Sequence, residues 1–386
     1  MFMRNFRPTL ISIIILCSIL AAAAAIIAYG RGYRLDFKKT SIKPTGLIAA
    51  QSDPTGAQIY VDGKLKTATN ASFGIDPGFY TVTISKEGYL SWEKKLRVQG
   101  EIVSNATAFL FPTNPSLSPL TVQGITNPVL SPDGTKIAYL IPDKGLWYYE
   151  LSEGPLGRNR DPIQIDQNSS FDFKTTQILW SPDATQLLAD NRLYTITKPN
   201  IFIDITATRD QLLADWATQQ KETEFQKLAA FKQPIIDMAT SSAKIISFSP
   251  DESKILYEAT ASATIPKVIV PPLIGTNPTQ ETRTITTNKY YVYDSHEDKN
   301  YFLLDKKELT ETANIHWFPT SRHLLLTLKG KIDVMEYDRT NWVTIYSGPF
   351  VDNFVAPWTN GSRIIILTNL NGDATSLPNL YTVNLR

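Results

Sequence analysis

The sequence of 386 residues contains a single cysteine, Cys17, so no disulfide within the chain can hold a domain together. It also lacks an excess of either charge, because 38 Lys and Arg stand against 37 Asp and Glu. This balance gives no electrostatic reason to expect nucleic acid or an anionic membrane surface as a partner. Long runs of Ala, Glu and Lys are missing too, whereas Thr, Ile, Val and Tyr are plentiful, which favours β structure.

Motifs of common enzymes are equally scarce. The sequence contains no G-x-S-x-G nucleophile motif and no G-x-x-x-x-G-K-[ST] phosphate loop. Its three histidines, His296, His316 and His323, show no spacing that would pair them on one helix or strand. The segment 166–172 alternates oxygen-bearing side chains but lacks the glycine and closing glutamate of a calcium loop. We therefore predict no catalytic residue, no cofactor and no metal.

One long apolar run stands near the beginning of the sequence. Residues 10–28 carry no charge and no proline, and nineteen helical residues span roughly 28 Å, close to the ~30 Å core of a bilayer. We predict a tail at 1–8, a transmembrane signal anchor at 9–29 and a linker at 30–45. The alternative is a cleaved signal peptide.

The flanking charges leave the orientation of this anchor open. Basic residues are more numerous after the run than before it, which by the positive-inside rule favours a cytoplasmic location for the rest of the chain. The short amino-terminal tail with Arg4 and Arg7 is instead typical of a signal anchor that exports the remainder of the chain. We expect a single-pass membrane protein with the bulk of the chain outside the cytoplasm.

A small β domain is predicted at 46–110. Asp62-Gly63 suits a tight hairpin turn between alternating strands, Pro77-Gly78 marks a second turn, and Gly88 a third. About six short strands in this length indicate a β-sandwich.

The same residues resemble the PEGA family. The tetrapeptide stands here as Pro54-Thr55-Gly56-Ala57, with threonine in place of glutamate. The rest of the pattern consists of Asp62, Gly63, Pro77, Gly78, Tyr80, Gly88 and Tyr89. The resemblance implies a domain of cell-envelope proteins without enzymatic activity, in which these residues shape turns and fill the core.

After a proline-bearing linker at 111–118, one phrase recurs at uneven distances. It reads "SPDGTKIAYL" from 131, "SPDATQLLAD" from 181 and "SPDESKILYE" from 249. Each copy follows a short apolar strand and precedes a second one, and proline suits the second position of a type I turn. The turn residues are Ser131, Pro132, Asp133 and Gly134; Ser181, Pro182 and Asp183; and Ser249, Pro250 and Asp251. Two weaker copies span 314–338 and 353–385.

Units of three or four short strands at intervals of roughly 40–70 residues are typical of a β-propeller. The phrase is similar to the WD40-like repeat of TolB-type propellers, over 119–386. We predict five blades, with a sixth left open in the longest gaps. Because the last copy stops at its third strand, the segment 118–124 is predicted to supply that unit's outer strand. The predicted fold class is all-β with one amino-terminal transmembrane helix, a PEGA-like sandwich and this propeller.

Two insertions account for the uneven spacing. Residues 208–234 read as an amphipathic helix, with a capping box formed by Thr208 and Gln211 and with Pro234 just past its end. Residues 263–288 are rich in proline and threonine and are predicted to form a long exposed loop and a contact surface. Several aromatic residues either pack between blades or stack on sugar rings: Trp147, Tyr148, Tyr149, Tyr290, Tyr291 and Tyr293.

The sequence thus predicts a non-enzymatic, membrane-anchored scaffold or binding protein of the cell envelope. Its expected partners are the membrane, through the helix, and envelope proteins or cell-wall glycan, through the propeller. One alternative is a glycan-active enzyme with two carboxyl groups about 5–10 Å apart at the propeller mouth. Another is an assembly platform that faces the cytoplasm.

Overall fold

A computed structural model of the chain describes residues 6–30, 33–36, 41–154, 160–167, 172, 175–309, 314–370 and 376–386. The chain is mostly β, with few helices. Contacts between residues divide it into two units. The first comprises Met1–Leu110 and Leu273–Thr279, and the second comprises Phe111–Pro272 and Gln280–Arg386. The segment 168–171, within the stretch weighed as a calcium loop, lies outside the described residues.

The first unit begins with helix α1, Phe6–Gly30. Within it, Leu10–Ile27 is long and apolar enough to cross a membrane or to act as a signal sequence. A short hairpin follows, in which β1 (Tyr33–Asp36) pairs with β2 (Ser41–Pro44).

Two sheets follow in the first unit. The three-stranded sheet has the order β6-β3-β9, with β3 at Gly46–Asp53, β6 at Ala71–Ile75 and β9 at Val103–Phe109. The four-stranded sheet has the order β5-β4-β7-β8, with β4 at Gln58–Val61, β5 at Lys64–Ala68, β7 at Gly78–Ser85 and β8 at Trp92–Val98. Buried and exposed residues alternate along β3 and β8. The buried faces share one core, which includes Ile48, Ile59, Val82, Ile84, Trp92 and Leu96.

The described part of the second unit contains five separate four-stranded antiparallel sheets, which we number I to V. Sheet I contains β11 (Thr126–Leu130), β12 (Lys136–Ile141), β13 (Gly145–Glu150) and β14 (Ile163–Asp166). Sheet II contains β15 (Ile178–Trp180), β16 (Gln186–Ala189), β17 (Arg192–Thr195) and β18 (Phe202–Asp204). Sheet III contains β19 (Ala243–Phe248), β20 (Lys254–Ala259), β23 (Lys289–Asp294) and β24 (Lys299–Asp305).

Sheet IV contains β25 (Ile315–Trp317), β26 (His323–Leu328), β27 (Lys331–Glu336) and β28 (Val343–Ser347). A 3-10 helix, Lys306–Glu308, precedes it. Sheet V contains β29 (Val355–Pro357), β30 (Arg363–Thr368), β31 (Asn379–Asn384) and, on the far side of β31, β10 (Leu117–Pro119). The pairing of β10 with β31 confirms the predicted outer strand of the last unit, although β10 covers only the beginning of the segment 118–124.

The second strand of each sheet is buried on both faces, as β20 and β30 illustrate. Such burial requires neighbours on both sides of a sheet, and the apolar clusters identify them. Sheet I shares one cluster with sheet II and another with sheet V, and sheet III shares one with sheet IV. Sheets I and II, I and V, and III and IV therefore pack face to face, which explains why their second strands read as continuous apolar runs.

Two helices lie between sheets II and III. Helix α2, Arg209–Leu228, places Trp216 against sheet II, whereas Leu228 joins a cluster with sheet III and helix α3, Gln233–Ser241. The predicted capping box is wrong, because Thr208 makes no side-chain capping bond and Gln211 Nε2 donates to Asp215 Oδ1 at 2.8 Å instead. Pro234 does not follow the last helix of the insertion. It lies in the first turn of α3, where the missing N–H does no harm.

The predicted loop at 263–288 is more ordered than its composition suggested. At its base β21 (Ala263–Thr264) pairs with β22 (Thr284–Ile285). Beyond this pair, the Asp298 carboxylate accepts hydrogen bonds from the backbone N–H groups of Val268 and Ile269, at 2.7 and 3.0 Å, and from Arg283 Nη1 at 3.0 Å. A buried carboxylate outside the insertion thus holds both sides of the loop.

Candidate functional site: a cavity bounded by five turns

The turn that follows β11 satisfies its own hydrogen bonds. Ser131 Oγ donates to Asp133 Oδ1 at 2.5 Å and accepts from the backbone N–H of Lys136 at 2.9 Å. Asp133 Oδ1 also accepts from the N–H of Thr135 at 3.0 Å. Pro132 occupies the second position, where no N–H is needed, and Gly134 the fourth, where φ is positive.

The same turn follows the first strand of every sheet. In each, the N–H of the first residue donates to the carbonyl of the sixth, and the N–H of the fourth donates to the carbonyl of the first. In each, a side chain at the third position accepts from the N–H of the fifth residue. The third residues are Asp133, Asp183, Asp251, Thr320 and Asn360. The two weaker copies thus form the same turn as the three clear ones.

Hydrogen bonding keeps the aspartates of these turns ionised. The bond from Ser181 is the main reason that the pKa of Asp183 lies below its ordinary value. Burial alone would raise the pKa of Asp133, but the bonds from Ser131 and Thr135 and the charge of Lys136 lower it. Asp251 behaves likewise with Ser249 and Ser253. These carboxylates serve as fixed acceptors rather than as proton carriers.

The residue just before each turn faces a cavity enclosed by the first strands. One part of the cavity, of about 730 Å³, is lined from sheets I, III, IV and V, and an adjoining part, of about 570 Å³, is lined from sheets I, II and III. Six residues line both parts, so the two are continuous. The pre-turn residues in this lining are Leu130, Trp180, Phe248, Trp317 and Pro357. Together they form a largely aromatic collar.

Helix α2 closes the side of the cavity between sheets II and III. Leu213, Trp216, Gln220 and Lys227 of this helix face the lining, with Lys227 touching both parts. Lys227 Nζ lies 3.0 Å from Glu252 Oε1, in the turn of sheet III. The insertion is therefore part of the wall of the cavity.

His316, on β25, is the one histidine in this lining. Burial lowers the pKa of its imidazole, so the ring is neutral at physiological pH. Among the described residues it has no hydrogen-bond partner, whereas the ring of His323 is held by Thr320 Oγ1 at 2.9 Å. A neutral imidazole can both donate and accept, so His316 is a polar group in this wall suited to contact a bound molecule.

The carboxyl groups in the described part of the lining do not favour glycoside hydrolysis. Asp133 lines both parts of the cavity and Glu224 lines the smaller one. Asp133 is committed to its turn, and its pKa is lowered, whereas a general acid needs a raised pKa. Among the described residues, no group of three or more His, Cys, Asp or Glu is placed to hold a metal ion.

Most of the aromatic residues singled out in the sequence pack inside the second unit. Tyr148, Tyr149, Tyr291 and Tyr293 are buried, and burial raises the pKa of Tyr149 to about 12. Trp147 is half-buried, and its Nε1 donates to the carbonyl of Lys144 at 3.1 Å. Tyr290 alone of the six lines the cavity, at the end away from the turns.

Residues of the PEGA-like pattern shape turns in the first unit. The segment Pro54–Ala57 links β3 to β4, with Ala57 fully buried. Its Thr55 carbonyl accepts from Lys86 Nζ at 2.7 Å, which ties it to the turn containing Gly88 and Tyr89. At the hairpin of Asp62 and Gly63, Asp62 Oδ1 accepts from the N–H of Thr81 at 2.9 Å. Pro77 is exposed, Gly78 opens β7, and the hydroxyl of Tyr80 donates to the carbonyl of Asp76 at 2.9 Å.

Sequence reasoning found the turns but missed the collar and His316. A signal was present: the residue immediately before each turn is large and apolar in four of the five copies and a proline in the fifth. No sequence signal indicates that α2 forms part of the cavity wall. Its position there depends on which two sheets the helix separates.

Comparison with known proteins agrees with part of this description. The family model of the PEGA domain matches residues 45–114, less than a fifth of the chain. Among solved structures, a protein described as a TolB from Agrobacterium tumefaciens shares 14% identity, over 66% of this chain and 73% of that one, with a TM-score of 0.23. A search of curated proteins found no match. Residues 45–114 are thus similar to PEGA domains, and the description of the second unit depends on its own sheets.

Proposed function

We propose that the chain is a non-enzymatic binding protein of the cell envelope, held in the membrane by α1. In this proposal the five sheets are the blades of a β-propeller of the WD40-like, TolB-like kind, and the cavity is its central channel. Five blades are counted, and the longest gap, where a sixth could be sought, contains α2 and α3. The proposed domain boundaries are those predicted from the sequence: anchor 9–29, sandwich 46–110 and propeller 119–386.

The observation that carries the proposal is the lining of the channel. Residues from the first strands of all five sheets, far apart in sequence, surround one cavity with an aromatic collar and the half-buried ring of His316, which has no hydrogen-bond partner among the described residues. Apolar and aromatic walls with a few polar groups are typical of binding sites. The PEGA-like domain supports an envelope location, and the carboxyl groups described above do not support the enzymatic alternative.

The experiment uses a photo-crosslinking amino acid in place of Ile246, which lies on β19 in the lining of the channel. The full chain is produced in living cells and irradiated. A covalent adduct with one envelope protein, or with wall glycan released by muramidase, is expected, and Lys227→Ala or His316→Leu should reduce its yield severalfold. The same amino acid in place of Val122, which is exposed and outside the lining, is the control. Equal labelling at both positions, or none at Ile246, would contradict the proposal.

The location is tested separately through a cysteine at the hairpin tip. Cys17 lies in the apolar helix, so a Lys64→Cys variant offers one accessible thiol. A membrane-impermeant maleimide should label it in intact cells as strongly as in detergent-opened cells. Labelling only after opening, with a reagent that crosses any outer layer, would favour the cytoplasmic platform instead.

A further inference from the structure

One end of the sandwich is defined by the point at which the chain enters it from the linker. The carbonyl of Thr45 accepts a hydrogen bond from the N–H of Glu101 at 3.1 Å, and the N–H of Leu47 donates to the carbonyl of Ile102 at 3.0 Å. The linker thus meets the turn between β8 and β9. Strand β7 begins at the same end, because Gly78 pairs with Val98 at the end of β8. We call this the anchor-side end.

Three apolar side chains are exposed at the anchor-side end. Phe79, at the start of β7, is 60% exposed; Val103 and Leu47, paired at the start of β9 and β3, are 49% and 36% exposed. Phe79 belongs to the four-stranded sheet, whereas Leu47 and Val103 belong to the three-stranded sheet. The exposed apolar side chains therefore lie on both sides of this end of the sandwich. The core accounts for none of them, since the buried cluster lies between the sheets.

Two cations accompany the exposed ring. Lys95 Nζ lies 5.6 Å from the centre of the Phe79 ring, and Arg97 Cζ lies 5.9 Å from it. The exposed acidic residues on the turns at this end include Asp62, Asp76 and Glu101, and Asp62 Oδ1 accepts from the N–H of Thr81, two residues beyond Phe79. The adjoining linker adds five basic residues, Arg31, Arg34, Lys38, Lys39 and Lys43, against one acidic residue, Asp36. The sequence of the linker is thus strongly basic although the chain as a whole is neutral.

We propose that the anchor-side end of the sandwich docks on the surface of the bilayer that holds α1, with anionic lipid headgroups as its ligand. Phe79, Leu47 and Val103 enter the interfacial layer, and Lys95 and Arg97 pair with lipid phosphates. Aromatic and aliphatic residues flanked by basic ones are the composition of interfacial membrane contacts. Basic juxtamembrane segments recognise anionic lipids in the same way.

Geometry favours a bilayer over a soluble polyanion. Fifteen residues separate Gly30 at the end of α1 from Gly46 at the start of β3, and a chain of that length reaches at most about 50 Å. The membrane is therefore always within reach of this end. A soluble polymer would also leave the exposed apolar side chains without a partner. The inference rests on the membrane anchor of the proposed function.

The test uses the full chain with Cys17→Ser, reconstituted into vesicles. An environment-sensitive fluorophore is attached at Val103→Cys or, as the matched control, at Glu87→Cys, in the turn that precedes β8 at the opposite end. In vesicles with about a third anionic lipid, a quencher carried on the lipid should dim the Val103→Cys label at least threefold more than the Glu87→Cys label. Purely zwitterionic vesicles, or high salt, should remove most of that difference.

Two sets of substitutions distinguish docking by the anchor-side end from a nonspecific effect of positive charge on the sandwich. Phe79→Ala with Lys95→Gln and Arg97→Gln should abolish the difference, whereas Lys66→Gln with Lys86→Gln removes positive charge elsewhere on the sandwich and should preserve it. Unchanged near-ultraviolet circular dichroism shows that each variant is folded.

The outcomes are distinguishable. Protein that fails to float with the vesicles would refute the membrane anchor and with it the proposed function. Protein that floats but shows equal quenching at both labels refutes only the docking. A spectral change produced by soluble polyglycerol phosphate, but not by anionic vesicles, would identify a polymer site and overturn the membrane proposal.

Discussion

Five turns with one hydrogen-bond pattern show what single residues contribute to this molecule. The sequence predicted three of them from Ser-Pro-Asp, and the structure places the third residue of each as the acceptor for the fifth. Thr320 and Asn360 accept in the same way in the weaker copies, because a hydroxyl or amide oxygen can replace a carboxylate there. The sequence resemblance of these two copies is weak because their residue types differ, although the hydrogen bond from the third residue to the fifth is the same.

A second residue, Asp298, has no local sequence signal for its role, because its carboxylate holds a loop that is distant in sequence. Burial of its carboxyl would raise the pKa, but hydrogen bonds from Ile269, Val268, Arg283 and Tyr293 together lower it. The folded pKa is thus below the unfolded one. Its stabilising contribution is present above about pH 4, the ordinary pKa of aspartate, and is lost as the pH falls through the lowered value.

We therefore predict that the loop 263–288 is opened by acid. Cleavage by pepsin near the exposed Val270 and Ile274 should rise steeply as the pH falls below about 4. Asp298→Asn should allow cleavage by thermolysin at neutral pH at a rate at least tenfold higher than in the wild type. Asp204→Asn, at an exposed position on β18, should have no such effect. Equal cleavage of both variants would contradict the assigned role.

Among the elements, α2 departs most from its sequence prediction. Its existence was evident from periodicity, but one apolar side was expected, whereas the helix uses two separate contacts. Leu212, Leu213 and Trp216 pack on sheet II, and Leu228 packs with sheet III. The predicted capping box is wrong because Thr208 makes no side-chain capping bond and Gln211 bonds Asp215 instead, and neither choice could be read from the residue types alone.

The packing of Trp216 on sheet II should hold α2 against that sheet. Trp216→Ala should lower the free energy of unfolding by about 3 kcal/mol and speed hydrogen exchange of the α2 amides at least tenfold, because the ring leaves a cavity among Leu188, Leu193 and Ile205. Phe225→Ala, on the exposed side of the same helix, should change stability by less than about 0.5 kcal/mol. A similar effect of both substitutions would show that the helix is not anchored by Trp216.

At the scale of the whole molecule, strand order was predictable and the cavity was not. The repeated turns fix where each sheet begins, and the unfinished last unit indicated its missing strand. The lining of the cavity, by contrast, joins residues from Leu130 to Pro357, and nothing local in the sequence states which of them face one another. The packing of sheets that are distant in sequence determines which of these residues face one another.

The pairing of β10 with β31 allows a test of this arrangement. Ser118 lies directly opposite Thr382, and Cα atoms of such antiparallel partners are within the range that a disulfide requires. In a Cys17→Ser background, Ser118→Cys with Thr382→Cys should oxidise readily and raise Tm by about 5 °C. Reductant should reverse the gain. Ser116→Cys with Thr382→Cys, displaced by two residues, should stay reduced; if it oxidises equally well, the register is wrong.

The parallel pairing of β3 with β9 has a mechanical consequence. Because these strands run in the same direction, the chain enters the sandwich at the beginning of β3 and leaves it past the end of β9, at the opposite end. Tension applied between Gly46 and Leu110 would pull the two strands in opposite senses along their length. Seven paired positions, from Leu47 with Val103 to Asp53 with Phe109, would then share the load in shear instead of opening one at a time. A load shared over these positions resists tension between the two ends of the sandwich better than bonds that break singly.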